Sequence, residues 1–113
     1  MSYKKPVIKS RHFPAFKETL PSMAGKTVVI TGTTSGTGYA AAMTVADLGA
    51  KLIMLNRPSE RSQKVQSDVS TAFPEAEIHS VDCDLQSFAS VRAAIPKVLD
   101  LCADGIDVIC NNA

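Results

Sequence analysis

From Lys26 onward the chain alternates short, almost wholly apolar runs with longer segments of mixed pattern. Thr27 to Ile30 is apolar and β-branched, as a strand buried on both faces should be. Lys51 to Leu55, Glu77 to Val81 and Ile106 to Cys110 read as three further strands. Helix-forming segments separate them. Tyr39 to Leu48 is rich in alanine and stops at Gly49. Asn56 is expected to cap a second helix, with Pro58 in its first turn, running to about Phe73 where Pro74 ends it. Ser87 is expected to cap a third, carrying Val91, Ile95, Val98 and Leu99 on one face and kinked near Arg92 by Pro96. The order βαβαβαβ with short links requires parallel strands and right-handed crossovers. It predicts an α/β fold with sheet order 3-2-1-4. A ligand should bind outside the carboxyl ends of the strands, where the order reverses between strands 1 and 4.

Residues 1–24 break this rhythm and read as a leader. Pro6, Pro14 and Pro21 preclude a long helix, and Phe13, Phe16 and Leu20 could form one apolar side that docks on the body; a flexible tail is the equal alternative. Charge is uneven. Residues 1–26 hold six Lys/Arg and one acid, a net +5, while the remainder holds six basic and ten acidic residues, a net −4. A basic arm could meet nucleic acid or an anionic membrane. A solvated tail is the plainer reading, and the acidic body speaks against nucleic acid as a partner. The length, 113 residues, allows one domain. Cys83, Cys102 and Cys110 form no C-x-x-C pair, which argues against a zinc site or a disulfide framework and for thiols in a reducing compartment. His12 and His79 stand apart from any metal-ligand pattern. No apolar run approaches the ~18 residues of a membrane span. The leader lacks a secretory apolar core, so the cytoplasm is the expected location, with organelle targeting by the basic leader the alternative.

The candidate chemistry lies in Thr31-Gly-Thr-Thr-Ser-Gly-Thr-Gly38, between the first strand and the first helix. A glycine-rich turn there can hold a phosphate, because the free N–H groups of the helix N-terminus point outward and its dipole is positive. Gly32, Gly36 and Gly38 read G-x-x-x-G-x-G, not the commoner G-x-G-x-x-G, and no Gly-Lys-Ser/Thr of a P-loop follows.

Three motifs in order give the chain its resemblance to the short-chain dehydrogenase/reductase family over residues 26–113. Thr31 to Gly38 is similar to the family's T-G-x-x-x-G-x-G, with Thr37 where isoleucine or leucine is usual. Asp84-Leu85 after the third strand resembles an Asp–hydrophobic pair that contacts adenine, and Asn111-Asn112-Ala113 resembles the start of N-N-A-G. Asp84-Leu85 followed by Ser87-Phe-Ala-Ser-Val-Arg92 is most like the retinol dehydrogenase and protochlorophyllide reductase branches. The resemblance implies part of a Rossmann-type, doubly wound parallel sheet.

It also implies a cofactor site of Gly32, Thr34, Ser35, Gly36, Thr37, Gly38, Arg57, Asp84, Leu85, Asn111 and Ala113. Amides of Thr34 to Thr37 and the hydroxyls of Thr34 and Ser35 would donate to phosphate and ribose oxygens. Asp84 would accept from the adenine amino group, beside the Leu85 N–H. Asn111 and Ala113 would border the ribose. Structural roles remain open for each: Ser35 as a helix cap, Asp82 or Asp84 as a cap of the next turn, the asparagines as ties between strands. NAD members usually carry an acid at the end of strand 2, about 20 residues past the glycine turn, to bind the ribose 2′-OH. This chain has Asn56 and Arg57 there, with Arg61 one turn on. A guanidinium suits a 2′-phosphate that a carboxylate would repel, so NADP is expected over NAD; an ordinary exposed arginine is the plain alternative.

The family's catalytic Tyr-x-x-x-Lys lies beyond N-N-A-G, and neither Tyr3 nor Tyr39 has a lysine four residues on. No catalytic residue is therefore assigned. The expectation is an NADP-dependent oxidoreductase acting on a carbonyl, an alcohol or a reducible double bond, present as its cofactor-binding fragment and inactive alone. The missing half would supply the small-molecule substrate site, and the full-length protein could form a homo-oligomer. The alternative is a non-catalytic nucleotide-binding or regulatory module.

Overall fold

A computed structural model describes residues 10–113. Tyr3, Lys4, Lys5, Pro6 and Lys9 lie outside the described residues. The elements run α1 (Phe13–Glu18), β1 (Thr27–Thr31), α2 (Gly36–Asp47), β2 (Lys51–Asn56), α3 (Glu60–Ala72), β3 (Ile78–Asp82), α4 (Phe88–Leu101) and β4 (Val108–Cys110). The four strands form one parallel sheet in the order β3-β2-β1-β4, as the alternating pattern predicts. Val28 stands between Leu52 and Val108, and Leu52 between Val28 and Ile78. The chain therefore steps outward from β1 to β3 and then returns to the far side of β1.

Both faces of β1 and β2 are covered, which explains why these two strands are apolar without alternation, while Val108 and Ile109 of β4 are exposed. Val28, Ile30, Leu52 and Met54 face α2 and α3, meeting Ala42, Met43, Ala46, Val65 and Val69. Val29, Ile53 and Val81 face the other way, onto Ala94, Val98 and Cys102 of α4 and its end. Leu52, Ile53 and Met54 are completely buried. Each such side chain contributes roughly 1.5–3 kcal/mol of transfer free energy.

Several expected details are corrected. Helix α2 begins at Gly36, three residues before the alanine-rich stretch. Asn56 does not cap the second helix: it ends β2, and Ser59 caps α3 through a reciprocal pair in which Ser62 N–H donates to Ser59 Oγ at 3.1 Å and Ser59 N–H to Ser62 Oγ at 3.3 Å. The serine pair satisfies two end donors at once, which Asn56, directed inward, could not do. Ser87 does cap α4, accepting from Ser90 N–H at 3.2 Å. The buried face of α4 is Ala94 and Val98, with Val91 and Leu101 packed beside them; Ile95 and Leu99 are exposed. A small residue at 94 lets the helix approach the sheet, and that rotates Ile95 and Leu99 outward. Strand β4 is shorter than Ile106–Cys110, because Asp107 Oδ2 accepts from Thr27 N–H at 2.8 Å and its own N–H bonds Thr27 O at 2.9 Å. In the leader, Phe13 and Leu20 are half-buried and Phe16 is exposed, so the proposed apolar side is only partly covered. Its attachments are Lys17 to Asp47 and Met23, which packs on the core and donates its N–H to Leu48 O at 2.8 Å.

At the amino ends of the strands, Glu77 Oε2 lies 2.8 Å from His79 Nε2 and 3.2 Å from Lys51 Nζ. The hydrogen bonds from His79 and then Lys51 hold the Glu77 carboxyl below its ordinary 4.5. A depressed carboxylate pKa adds stability above the unfolded value and loses it as pH falls through the folded one. Glu77→Gln is accordingly expected to cost no more than about 1 kcal/mol at neutral pH, since the Glu77 carboxylate is more than half exposed. The difference from wild type in urea unfolding should vanish well below pH 4.5; a difference unchanged by acid would remove the ionic explanation.

Candidate cofactor site

The carboxyl ends of all four strands converge on one cleft of about 830 Å³, at the point where the strand order reverses. Of the residues named from sequence, Gly32, Thr34, Arg57, Asp84, Leu85 and Ala113 line it, and Arg61 joins them. Ser35, Gly36 and Thr37 form the exposed start of α2, and Gly38 is buried beneath them. Asn111 is exposed and does not line the cleft. A second cavity, about 760 Å³, lies at the opposite ends of the strands among Thr27, Lys51, Glu77 and Asp107. Its glycines, Gly25 and Gly49, precede a strand and follow the end of a helix, so neither opens a helix N-terminus onto it.

The turn is built by backbone crowding. Gly32 has φ +70°, and a Cβ there would stand 2.8 Å from Ala113 Cα. At Gly38 a Cβ would overlap the Gly32 carbonyl oxygen and lie 2.5 Å from Asn112 Nδ2. The glycines let the start of α2, the end of β1 and the segment after β4 occupy adjoining space. Side chains then lace these segments together. Asn112 Nδ2 donates to Gly32 O at 2.9 Å, while the N–H groups of Asn112 and Ala113 donate to Thr31 Oγ1 at 3.1 and 3.2 Å. Asn112 and Thr31 thus carry the tie between strands, the structural role that sequence reasoning left open for the asparagines.

The first intrahelical bond of α2 runs from Tyr39 N–H to Ser35 O at 3.3 Å, so the N–H groups before it belong to the helix end. Ser35 occupies the N-cap position without making a side-chain capping bond. Outside its own turn of the helix, no described atom lies within 4 Å of where a Cβ on Gly36 would stand, leaving an open cradle at the positive end of a 12-residue helix.

The other walls are polar and apolar in turn. Asp84 does cap its own turn, its Oδ1 accepting from Gln86 N–H at 3.0 Å, while Ser90 Oγ accepts from Asp84 N–H at 2.8 Å. A carboxylate has about four lone-pair sites, so this one bond leaves acceptor capacity. Leu85 is 53% exposed beside it. Cys83 is buried at the base of the cleft, where burial and then the Asp84 carboxylate push its thiol up, away from a reactive thiolate. Burial does the same for Cys102. Arg57 and Arg61 are exposed at the rim; Glu60, in the first turn of α3, does not line the cleft.

Thr33 and Asn56 were not assigned a site role from sequence. They bond each other at the bottom of the turn, where Thr33 N–H donates to Asn56 Oδ1 and Asn56 Nδ2 to Thr33 Oγ1, both at 2.8 Å. The one sequence signal was a polar residue ending an apolar strand, Asn56, and another inside the glycine turn, Thr33. Among the described residues no group of three or more His, Cys, Asp or Glu could hold a metal, and no helix is long and apolar enough to cross a membrane.

A parallel sheet wound on both faces, with a glycine turn entering a helix at the strand-order reversal, defines the dinucleotide-binding class of α/β proteins. Within that class, a family model described as short chain dehydrogenase matches residues 26–113, and the chain belongs to this family of oxidoreductases. It is 32% identical over 91 residues to the 3-oxoacyl-acyl-carrier-protein reductase FabG of Aquifex aeolicus, covering 80% of this chain and 36% of that protein. It is 38% identical over 92 residues to the short-chain dehydrogenase/reductase ffsI of Aspergillus flavipes, covering 79% and 26% respectively. Among solved structures, levodione reductase superposes with a TM-score of 0.72 at 32% identity over 80% of this chain and 34% of that one. The L-sorbose reductase of Gluconobacter frateurii, solved with NADPH and L-sorbose, gives 0.71 at 29% identity over 81% and 34%. The chain thus spans between about a quarter and just over a third of the length of these relatives.

Proposed function

We propose that residues 25–113 are the N-terminal, cofactor-binding part of an NADP-dependent oxidoreductase, with residues 1–24 as an arm. The observation that carries the cofactor choice is the pair Arg57 and Arg61 on the cleft rim, next to a strand end whose polar side chain, Asn56, is neutral and directed inward. A 2′-phosphate would meet two guanidinium groups and no lining carboxylate nearer than the Asp84 turn. The open Gly36 cradle and the start of α2 would hold the pyrophosphate, and Asp84 with Leu85 the adenine. Asn111 and Ala113 would border the ribose. When bound, NADPH supplies a hydride; this chain's own residues bind and orient it, and none is assigned to proton transfer.

The substrate class that goes with this reading is a carbonyl, an alcohol or a reducible double bond. The Ser87-Phe-Ala-Ser-Val-Arg92 segment supports the retinol dehydrogenase or protochlorophyllide reductase branch. Titrating the complete protein with NADPH and NADH by fluorescence, then assaying hydride transfer to carbonyl substrates, tests the proposal. NADPH should bind at least about tenfold more tightly. Tighter NADH binding would overturn the cofactor choice, and NADPH binding with no turnover on any carbonyl, alcohol or enone would favour a non-catalytic nucleotide-binding module.

A further inference from the structure

The Thr33–Asn56 pair joins two parts of the cleft that are 23 residues apart in sequence. Thr33 is fully buried and Asn56 only 5% exposed. Asn56 is engaged on several sides. Its Oδ1 accepts from the Thr33 N–H, its Nδ2 donates to Thr33 Oγ1, and its main-chain oxygen accepts from Cys83 N–H at 2.8 Å. The neighbouring Leu55 O accepts from Gly32 N–H at 3.0 Å. One asparagine therefore ties the glycine turn, the end of β2 and the start of the Cys83-Asp84 turn. Arg57 follows it directly in sequence.

We propose that Thr33 and Asn56 are a positioning pair, setting the glycine turn at a fixed offset from Arg57, and that Asn56 is not itself a ribose ligand. This rests on the NADP reading of the same cleft. A dinucleotide spans two anchors, its pyrophosphate at the turn and its 2′-phosphate at Arg57. Affinity for the whole molecule depends on their separation, because rigid anchors at the right spacing avoid the cost of ordering them on binding. A ligand that meets only one anchor does not sense the separation. The acid of an NAD-binding member would project a carboxylate toward the ribose from this strand end. Here the corresponding residue lines the cleft at only 5% exposure, with its amide oxygen and nitrogen both turned to Thr33.

The test uses the complete protein and two probes, NADPH and adenosine 2′-monophosphate, which carries the 2′-phosphate without a pyrophosphate. Thr33→Val keeps the shape and removes the hydroxyl; Thr33→Ser keeps the hydroxyl. Thr33→Val should weaken NADPH about tenfold and change adenosine 2′-monophosphate by less than about twofold, with Thr33→Ser within about threefold of wild type for both. Equal losses for the two probes, or none, would overturn the positioning role. Asn56→Asp is the independent variant, because its carboxylate can still accept from Thr33 N–H and from a rotated Thr33 hydroxyl. It should gain less than about threefold in NADH affinity, whereas a gain of about tenfold would make residue 56 a ribose ligand and sink the proposal. Wild-type protein that binds neither probe would instead overturn the underlying NADP reading, an outcome separate from any failure of the pair.

Discussion

Gly38→Ala is expected to destabilise the protein by about 3 kcal/mol or more, the largest effect of any single methyl group added to this site. Backbone conformation is not the reason, since Gly38 has no positive φ. Space is. The new Cβ would overlap the Gly32 carbonyl oxygen and crowd Asn112 Nδ2, and these two atoms already bond each other at 2.9 Å. Gly32 cannot retreat easily, because its N–H is held by Leu55 O at 3.0 Å in the sheet. Relief requires α2 to move off the sheet, separating the Ala42 and Ala46 contacts from Val28 and Ile30. Gly36→Ala is the control. It faces no described atom within 4 Å outside its own turn of the helix and has φ +59°, so it should cost only the roughly 1–2 kcal/mol of a left-handed alanine. Urea unfolding of both variants followed by circular dichroism checks the ranking. A Gly38→Ala protein within about 1 kcal/mol of wild type would show that loop and helix are not in close contact.

Arg57→Ala is expected to weaken NADPH by about 1.5–3 kcal/mol, roughly ten- to 150-fold, and to leave NADH nearly unchanged. The argument is one of charge and place. The guanidinium stands on the cleft rim beside Arg61, and the adjacent Asn56 side chain, being turned inward, cannot substitute for it. Both arginines are exposed, so the contribution should shrink as salt is raised. Parallel titrations of wild type and variant with the two cofactors decide it. Equal losses for both would mean that Arg57 supports the cleft rather than a 2′-phosphate.

How legible the site was depended on the scale of the interaction. The glycine turn, the Asp84-Leu85 pair and the Asn111-Asn112-Ala113 segment are local patterns, and each falls at the end of its expected strand. Which asparagine does structural work was not legible, because Asn111 and Asn112 are chemically identical and only the register of β4 against β1 brings Asn112 to Gly32. Asn56 was misread for a related reason. Asparagine before Pro58 is a good helix-cap sequence, and a buried partner 23 residues upstream leaves no local trace. The burial of Ala94 in place of Ile95 likewise follows from how closely α4 approaches Val29 and Ile53.

By itself the sequence determined the alternation of strand and helix, the parallel order β3-β2-β1-β4 and the end of the sheet at which the candidate cleft lies. These follow from periodicity, crossover handedness and the steric freedom of glycine, which act over a few residues or on connectivity alone. Only the tertiary structure decided how the strand ends are tied together: Asn112 to Gly32, both end N–H groups to Thr31, and Asn56 to Thr33. Those hydrogen bonds join polar groups brought within 3.2 Å across 23 to 82 residues of chain, a proximity that exists only once the sheet has formed, and the Thr33–Asn56 pair gains further from being buried.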